Sequence, residues 1–384
     1  MSPIVAGDAR ALTHALVEID SRNPSLVPGG PGERGCALLL RSVLNSWGFH
    51  TELLDAAPGR PNLVARIGQA RGGRTLMFNG HLDVVGVEGM IHPPFEPVER
   101  NGLLYGRGSA DMKGGIAAMC AAAHAAASDG ISGEIIIAAV IDEEYESLGT
   151  RALVEHGVRA DACVVTEPTR LSIMPAHRGF VWLDVEVAGR AAHGSRWDIG
   201  VDAIRHAGLL LAELDRIDSD VLPAREHPLL GRASLHASLI QGGTGYSTYP
   251  DRCTIGIERR TIPGETVEDM AAEMERACQT VKSRRPSFRA SVKVAGAQGP
   301  SDVSVDAPIV LALGEALREA GEPMQVEGMS AWTDAAILNA AGIPAVCFGP
   351  GDISLAHAAE EYIPLKEIDR AKDVLCALAR SWCG

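Results

Sequence analysis

The sequence predicts an α/β protein of two domains, the second inserted into the first, and two textures along the chain carry that expectation. The outer parts alternate short, near-continuous apolar runs with helical periodicity, the pattern of strands buried on both faces of a helix-covered sheet. The middle alternates apolar and polar residues at period two, as a sheet with one solvated face does. A chain of 384 residues is also long enough for two cores.

In chain order, helical patterns at 8–19 and 32–47 precede strand-like runs at 62–67 and 75–78. The alanine-rich segment 114–127 reads as a helix, 134–141 as a strand, 147–156 as a helix and 162–165 as a strand. The same texture returns with helices at 307–320 and 333–341 and a strand at 345–348. Between these blocks, 181–187 (VWLDVEV), 233–239 and 254–260 alternate at period two, and 289–294 does so more loosely. Amphipathic helical patterns at 202–217 and 267–283 are interleaved, giving the order β-α-β-β-α-β. That order predicts a small antiparallel sheet with two helices on one face. The inserted α+β domain is therefore placed at 180–294, with the outer domain built from 1–179 and 295–384.

Apolar residues at 46% and charged residues at 22% exclude general disorder. With 35 Lys+Arg against 49 Asp+Glu the formal charge is −14, and no basic run offsets it, which disfavours a nucleic-acid partner. The segment 1–20 carries Asp8 and Arg10 and does not read as a secretory leader; 114–127 is too short to span a bilayer. Eight scattered cysteines without a C-x-x-C pair read as small buried thiols. A cytoplasmic, reduced protein without a membrane partner is expected. Motifs for dinucleotides (G-x-G-x-x-G opening a helix), nucleoside triphosphates (G-x-x-x-x-G-K-[ST]) and serine hydrolases (G-x-S-x-G) are missing from the sequence.

The polar residues of interest fall just past the strand ends, where sites form in open α/β sheets. The run 75–78 leads into Asn79-Gly80-His81-Leu82-Asp83, and 135–141 ends in Asp142-Glu143-Glu144. Thr166-Glu167-Pro168 follows 162–165, and a Gly/Pro loop after 345–348 leads to His357. Asp111 precedes the alanine-rich helix, where an N-cap role is the simpler expectation. Taken singly, an H-x-D, an acidic pair or a loop histidine is an ordinary surface feature. Together, His81, Asp111, Glu144, Glu167 and His357 form a donor set for two divalent cations sharing a carboxylate. Imidazole and carboxylate without cysteine suit zinc, and also cobalt or manganese. Glu143 is left over as a general base.

FNGHLDVV, GRGSADMKGG, DEEYESLGT, VTEP and the late loop histidine together resemble the motifs of one dinuclear zinc hydrolase family. That family includes acetylornithine deacetylase, succinyl-diaminopimelate desuccinylase, aminoacylase and carboxypeptidase G, and the likeness runs along essentially the whole chain. It implies a catalytic domain related to zinc aminopeptidases, with a mixed sheet between helices, and a lid domain that also forms a homodimer interface. It further implies that His81 and Glu167 hold one metal, Glu144 and His357 the other, and Asp111 bridges them. Asp83 would orient His81, and Glu143 would serve as acid and base. In Gly189-Arg190-Ala191-Ala192-His193-Gly194-Ser195, His193 corresponds to a histidine that reaches the partner subunit's site and stabilises an oxyanion. Arg260 corresponds to a residue that holds a substrate carboxylate. Ser247 stands where relatives often have a substrate-contacting asparagine, and Arg196-Trp197-Asp198 follows where they often have a proline.

The implied activity is hydrolysis of the amide of an N-acyl amino acid, by attack of a dimetal-bridged hydroxide with Glu143 as base. A metallo-dipeptidase or carboxypeptidase of the same family is the nearest alternative. A catalytically silent metal- or ligand-binding relative is the alternative of another class, and retention of Glu143 beside the whole donor set argues against it.

Overall fold

The computed structural model describes residues 4–69 and 72–384. The chain divides into two compact units, one comprising residues 1–175, 303–327 and 333–384, the other 176–302 and 328–332.

The first unit is built on a mixed sheet. Of its nine strands among the described residues, six lie in the spatial order His50–Ala57, Arg60–Gly68, Glu134–Val140, Thr75–His81, Ala162–Val165 and Ala345–Cys347, and Ile173–His177 continues the sheet beyond the last of these. Of the six, the first two run antiparallel to their neighbours, and the last four are mutually parallel. Register brings His81 opposite Val140, Asn79 opposite Val165, and Cys347 opposite Val165. The four parallel strands therefore end together along one edge.

Both faces of these strands are buried, which is why they read as continuous apolar runs. Leu76, Phe78, Ile135, Ile137 and Val164 join one core with helices Ala9–Val17, Arg34–Ser46, Gly114–Ser128, Pro308–Glu319 and Leu365–Cys383. Met77, Ile136, Ala138 and Val140, pointing the other way, are equally buried. The helix Gly114–Ser128 buries mostly alanine and glycine, with Ile116, Met119 and Cys120 among them, and packs against Ala9–Val17 and Leu365–Cys383. Small side chains let it come close to the strands. A Cβ at Gly115 would stand 2.1 Å from the carbonyl oxygen of Thr166, so only glycine lets the helix start there.

The second unit contains a four-stranded antiparallel sheet in the order Ser234–Gly242, Arg252–Thr261, Gly179–Ala188, Arg289–Gln298. Val181, Leu183, Val185 and Val187 alternate inward and share a core with helices Ala203–Arg216 and Val267–Arg284. The helix starts are fixed locally: the Asp202 carboxylate accepts from the Arg205 amide at 2.9 Å, and Thr266 with Asp269 forms a reciprocal capping box. Buried Arg259 reaches Glu273 at 3.2 Å and also pairs with Glu265, tying the strand end to the second helix. The expected β-α-β-β-α-β order and two-domain α/β class are both present. All eight cysteines are buried and free, and among the described residues no helix is long and apolar enough to cross a membrane.

His177 is buried in this unit, with Nδ1 donating to the Arg178 carbonyl at 2.9 Å. Burial pulls its imidazole down to about 4 from an ordinary value of 6.5. Between those values the unfolded chain binds the extra proton, so stability falls as pH drops from 6.5 towards 4. The expected loss from this group is roughly 3 kcal/mol at pH 4. Urea unfolding at pH 7 and pH 4.5 should show a steeper decline for the wild type than for His177→Gln; parallel declines would contradict the assignment.

Candidate metal and catalytic centre

His81 is the last residue of the strand Thr75–His81 and is buried. Its Nδ1 donates to the backbone carbonyl of Asp83 at 3.0 Å, which turns Nε2 towards Asp111 Oδ1, also 3.0 Å away, and makes Nε2 the ring nitrogen that a cation would take from the neutral imidazole. The Asp83 carboxylate lies farther from that ring, at 3.7 Å. It serves instead as an acceptor for Asn23 Nδ2 at 2.9 Å and for the backbone N–H groups of Glu143 at 3.2 Å and Glu144 at 3.1 Å. Asp83 thus orients His81 through its carbonyl and the acidic pair through its carboxylate.

Asp111 does not cap the helix that follows. That helix begins at Gly114 after an irregular turn, and its N-terminus has no side-chain cap. The Asp111 carboxylate turns to the histidines, with Oδ1 near His81 and Oδ2 3.8 Å from His357 Nε2. His357 Nε2 is 2.9 Å from Glu144 Oε2. His81, Asp111 and Glu144 each offer a ligand atom, all within 4.8 Å of one another. Glu167, at the end of Ala162–Val165, is buried, and its Oε1 has no hydrogen-bond partner among the described residues.

The electrostatics show what this group lacks. Burial, reinforced by neighbouring carboxylates, raises the Glu143 and Glu167 carboxyls well above their ordinary range. Burial likewise raises Glu144, although the hydrogen bond to His357 works against it. For His81, burial opposes the charged form, but the hydrogen bond and charge of Asp111 hold the imidazole well above its usual value. Asp111 is lowered despite burial, because His81 donates to it. Burying charge without compensation is costly, and bringing these carboxyls together favours a partner that can balance several of them at once. Divalent ions fit the donor set: Glu167 has an orphaned oxygen, His81 turns Nε2 towards Asp111, and there is no thiol. Ligand atoms on a tetrahedral zinc stand roughly 3.3 Å apart, close to the 3.0 and 2.9 Å separations here.

His193, Ser247 and Arg260 belong to the second unit. His193 is exposed, and its Nδ1 accepts from the Ser195 amide at 3.3 Å. The Ser195 hydroxyl also meets Nδ1, at 2.8 Å, so the Ser195 contacts engage Nδ1 and leave Nε2 on the other side of the ring. The Ser247 carbonyl accepts from Gly194 N–H at 2.7 Å, so this loop supports the histidine turn. Arg260 lies over the Phe180 ring at 5.6 Å and pairs with Glu258 at 2.9 Å.

Several supporting residues escaped the sequence reading. Asp142 is buried and paired to Arg60 at 2.9 Å, so the first acid of the Asp-Glu-Glu run is structural. Glu361 accepts from Arg107 and from three backbone amides. Asp334, whose Oδ2 accepts from the Thr150 hydroxyl at 2.6 Å, is raised by burial to about 6.

Residues 77–381 match peptidase family M20/M25/M40. The chain belongs to that family. It is 33% identical over 351 residues to an acetylornithine deacetylase of Myxococcus xanthus, covering 89% of this chain and 90% of that protein. It is 28% identical over 389 residues to an N-formyl-4-amino-5-aminomethyl-2-methylpyrimidine deformylase of Bacillus subtilis, covering 93% and 91%. Among solved structures, the aminopeptidase PepT of Bacillus cereus superposes with a TM-score of 0.82 at 22% identity, over 100% of both chains. As an M20 member the protein is a hydrolase of amide bonds.

Exchanging the two adjacent glutamates separates their roles. Glu143→Ala should keep its bound metal and lose about 10²- to 10⁴-fold in kcat, as removal of a general base does. Glu144→Ala should lose occupancy of one metal position. Elemental analysis beside steady-state kinetics checks both, and the opposite pattern would exchange the assignments.

Proposed function

We propose that the protein is a zinc-dependent, cytoplasmic deacylase of N-acyl amino acids, working as a homodimer formed through the inserted domain. The observation that carries this reading is the convergence of His81, Asp111, Glu144 and His357, beside half-buried Glu143 and buried Glu167, at the shared end of the parallel strands. Full-length likeness to an acetylornithine deacetylase supports an acylated amine as substrate. Buried, unpaired cysteines suit a reducing compartment.

In this reading His81 and Glu167 would hold one ion, Glu144 and His357 a second, and Asp111 would be shared between them; cobalt or manganese would also suit these donors. When bound, the ions supply Lewis acidity, which lowers the pKa of water and polarises a carbonyl. Glu143 does the proton work. Its backbone amide is pinned to Asp83, and its raised carboxyl can take a proton from the attacking water and return it to the leaving amine. His193 offers its Nε2–H to the developing oxyanion, donated across the dimer. Arg260 exchanges Glu258 for the substrate carboxylate, and the Ser247 hydroxyl gives a further polar contact.

Amine release from N-acetyl, N-succinyl and N-formyl amino acids, beside free dipeptides, tests the reading when zinc-reconstituted and chelator-treated protein are compared. Zinc-dependent turnover of an N-acyl amino acid is expected; turnover of dipeptides alone would replace it with a peptidase. For the dimer, mixing His193→Ala with Glu143→Ala subunits should restore partial activity, because each mixed dimer then has one site with both groups intact. Mixed dimers that form and stay inactive would remove the trans role of His193.

A further inference from the structure

Glu361 is fully buried, and both oxygens of its carboxylate are engaged. Oε2 accepts from Arg107 Nη1 at 2.7 Å and from the Gly108 amide at 3.0 Å. Oε1 accepts from the Ala110 amide at 3.0 Å and the Asp111 amide at 3.1 Å. The backbone repeats the connection, since Gly106 N–H donates to the Glu361 carbonyl at 3.3 Å and Tyr362 pairs with Tyr105. With four donors on two oxygens, this carboxylate has no lone pair facing a ligand. Its neighbour Glu360 is different: that side chain is more than half exposed and only approaches His92, at 3.8 Å.

The two segments joined here carry candidate ligands. Asp111 lies in a turn whose backbone leaves helical geometry, with φ −120° and ψ 92°, so regular helix hydrogen bonds do not hold it. Its amide and that of Ala110 are held by Glu361 instead. His357 lies four residues before Glu361, on the same loop. One buried carboxylate therefore grips the start of the Asp111 side chain and anchors the base of the His357 loop. Its charge is matched by Arg107, which is itself buried, so neither member can swing out to solvent without leaving the other uncompensated.

We infer that Glu361 is a positioning residue, fixing the separation between the Asp111 carboxylate and the His357 imidazole and so the affinity of the centre for its metal. This rests on the metal-centre reading given above. Outer residues that orient ligands in this way typically change metal affinity ten- to a hundredfold.

The test uses the full chain, stripped of metal and titrated with Zn²⁺ in competition with a chromogenic chelator. Glu361→Gln keeps the side-chain volume but turns an N–H₂ towards donors and removes the charge facing Arg107. Its zinc Kd should rise ten- to a hundredfold, with Glu360→Gln indistinguishable from wild type. Melting of metal-free and zinc-loaded protein supplies the second readout, and zinc should stabilise Glu361→Gln less than wild type. Unchanged zinc affinity, with both melting temperatures lowered equally, would show a purely structural residue and overturn the inference. Should Glu361→Gln fail to fold, Arg107→Lys keeps the cation but loses the guanidinium contact. The same titration is then expected to show a smaller loss of the same sign, and no loss overturns the inference. A wild-type chain that binds no zinc would sink the metal reading itself, whereas tight wild-type binding matched by Glu361→Gln would sink this inference alone.

Discussion

Charge taken out of water must be matched, and at the end of the parallel strands two classes of buried acid meet that requirement differently. The scaffold acids are answered by the protein. Asp83 takes Asn23 and two amides, Asp142 and Glu33 share Arg60, and Glu361 takes Arg107 and three amides. The acids of the centre are met by histidines and by one another. Asp111 faces His81 and Glu144 faces His357, and burial together with the neighbouring carboxylates pushes Glu143, Glu144 and Glu167 upward, while burial also raises Glu33 and Glu361 against their arginine partners. The scaffold acids hold those of the centre in place. This arrangement suits a cation better than protons, because a proton satisfies a single oxygen while a divalent ion can draw on several at once.

Much of this was legible because burial on both faces leaves a strong mark. A strand such as Thr75–His81 has no solvated face to decorate, so the first polar residues after its apolar run stand at its end. The grouping of His81, Asp111, Glu144 and His357 follows from that spacing together with the order of the strands. The strand His50–Ala57 was missed for the opposite reason: half exposed at the sheet edge, it carries no continuous apolar run. Ile173–His177 was missed because a proline interrupts a short segment.

Supporting groups were hardest to see. Glu361 meets Arg107 across more than 250 positions of sequence, and nothing in a glutamate beside another glutamate says which is buried. Asp83 illustrates a subtler limit. An H-x-D spacing suggests a carboxylate behind an imidazole, yet the backbone carbonyl makes that contact and the carboxylate turns to the amides of Glu143 and Glu144. Period-two spacing shows which residues share a face and not which atom of a residue makes the bond.

The discontinuity of the first unit bears on how the protein is made. Its strand Ala345–Cys347 pairs with Ala162–Val165, so the whole second unit is translated between two neighbouring strands of one sheet. At about 5–20 residues per second, the apolar edge at Val164 waits on the order of ten seconds or more for its partner. The second unit, nearly continuous in sequence, can acquire most of its own core during that interval. His357 and Glu361 emerge later still, so a nascent chain displays His81, Asp111 and Glu144 before the group that completes them exists. Biosynthesis thus leaves an open strand edge and a half-built donor set exposed together, and both close only once residues 345–361 have emerged.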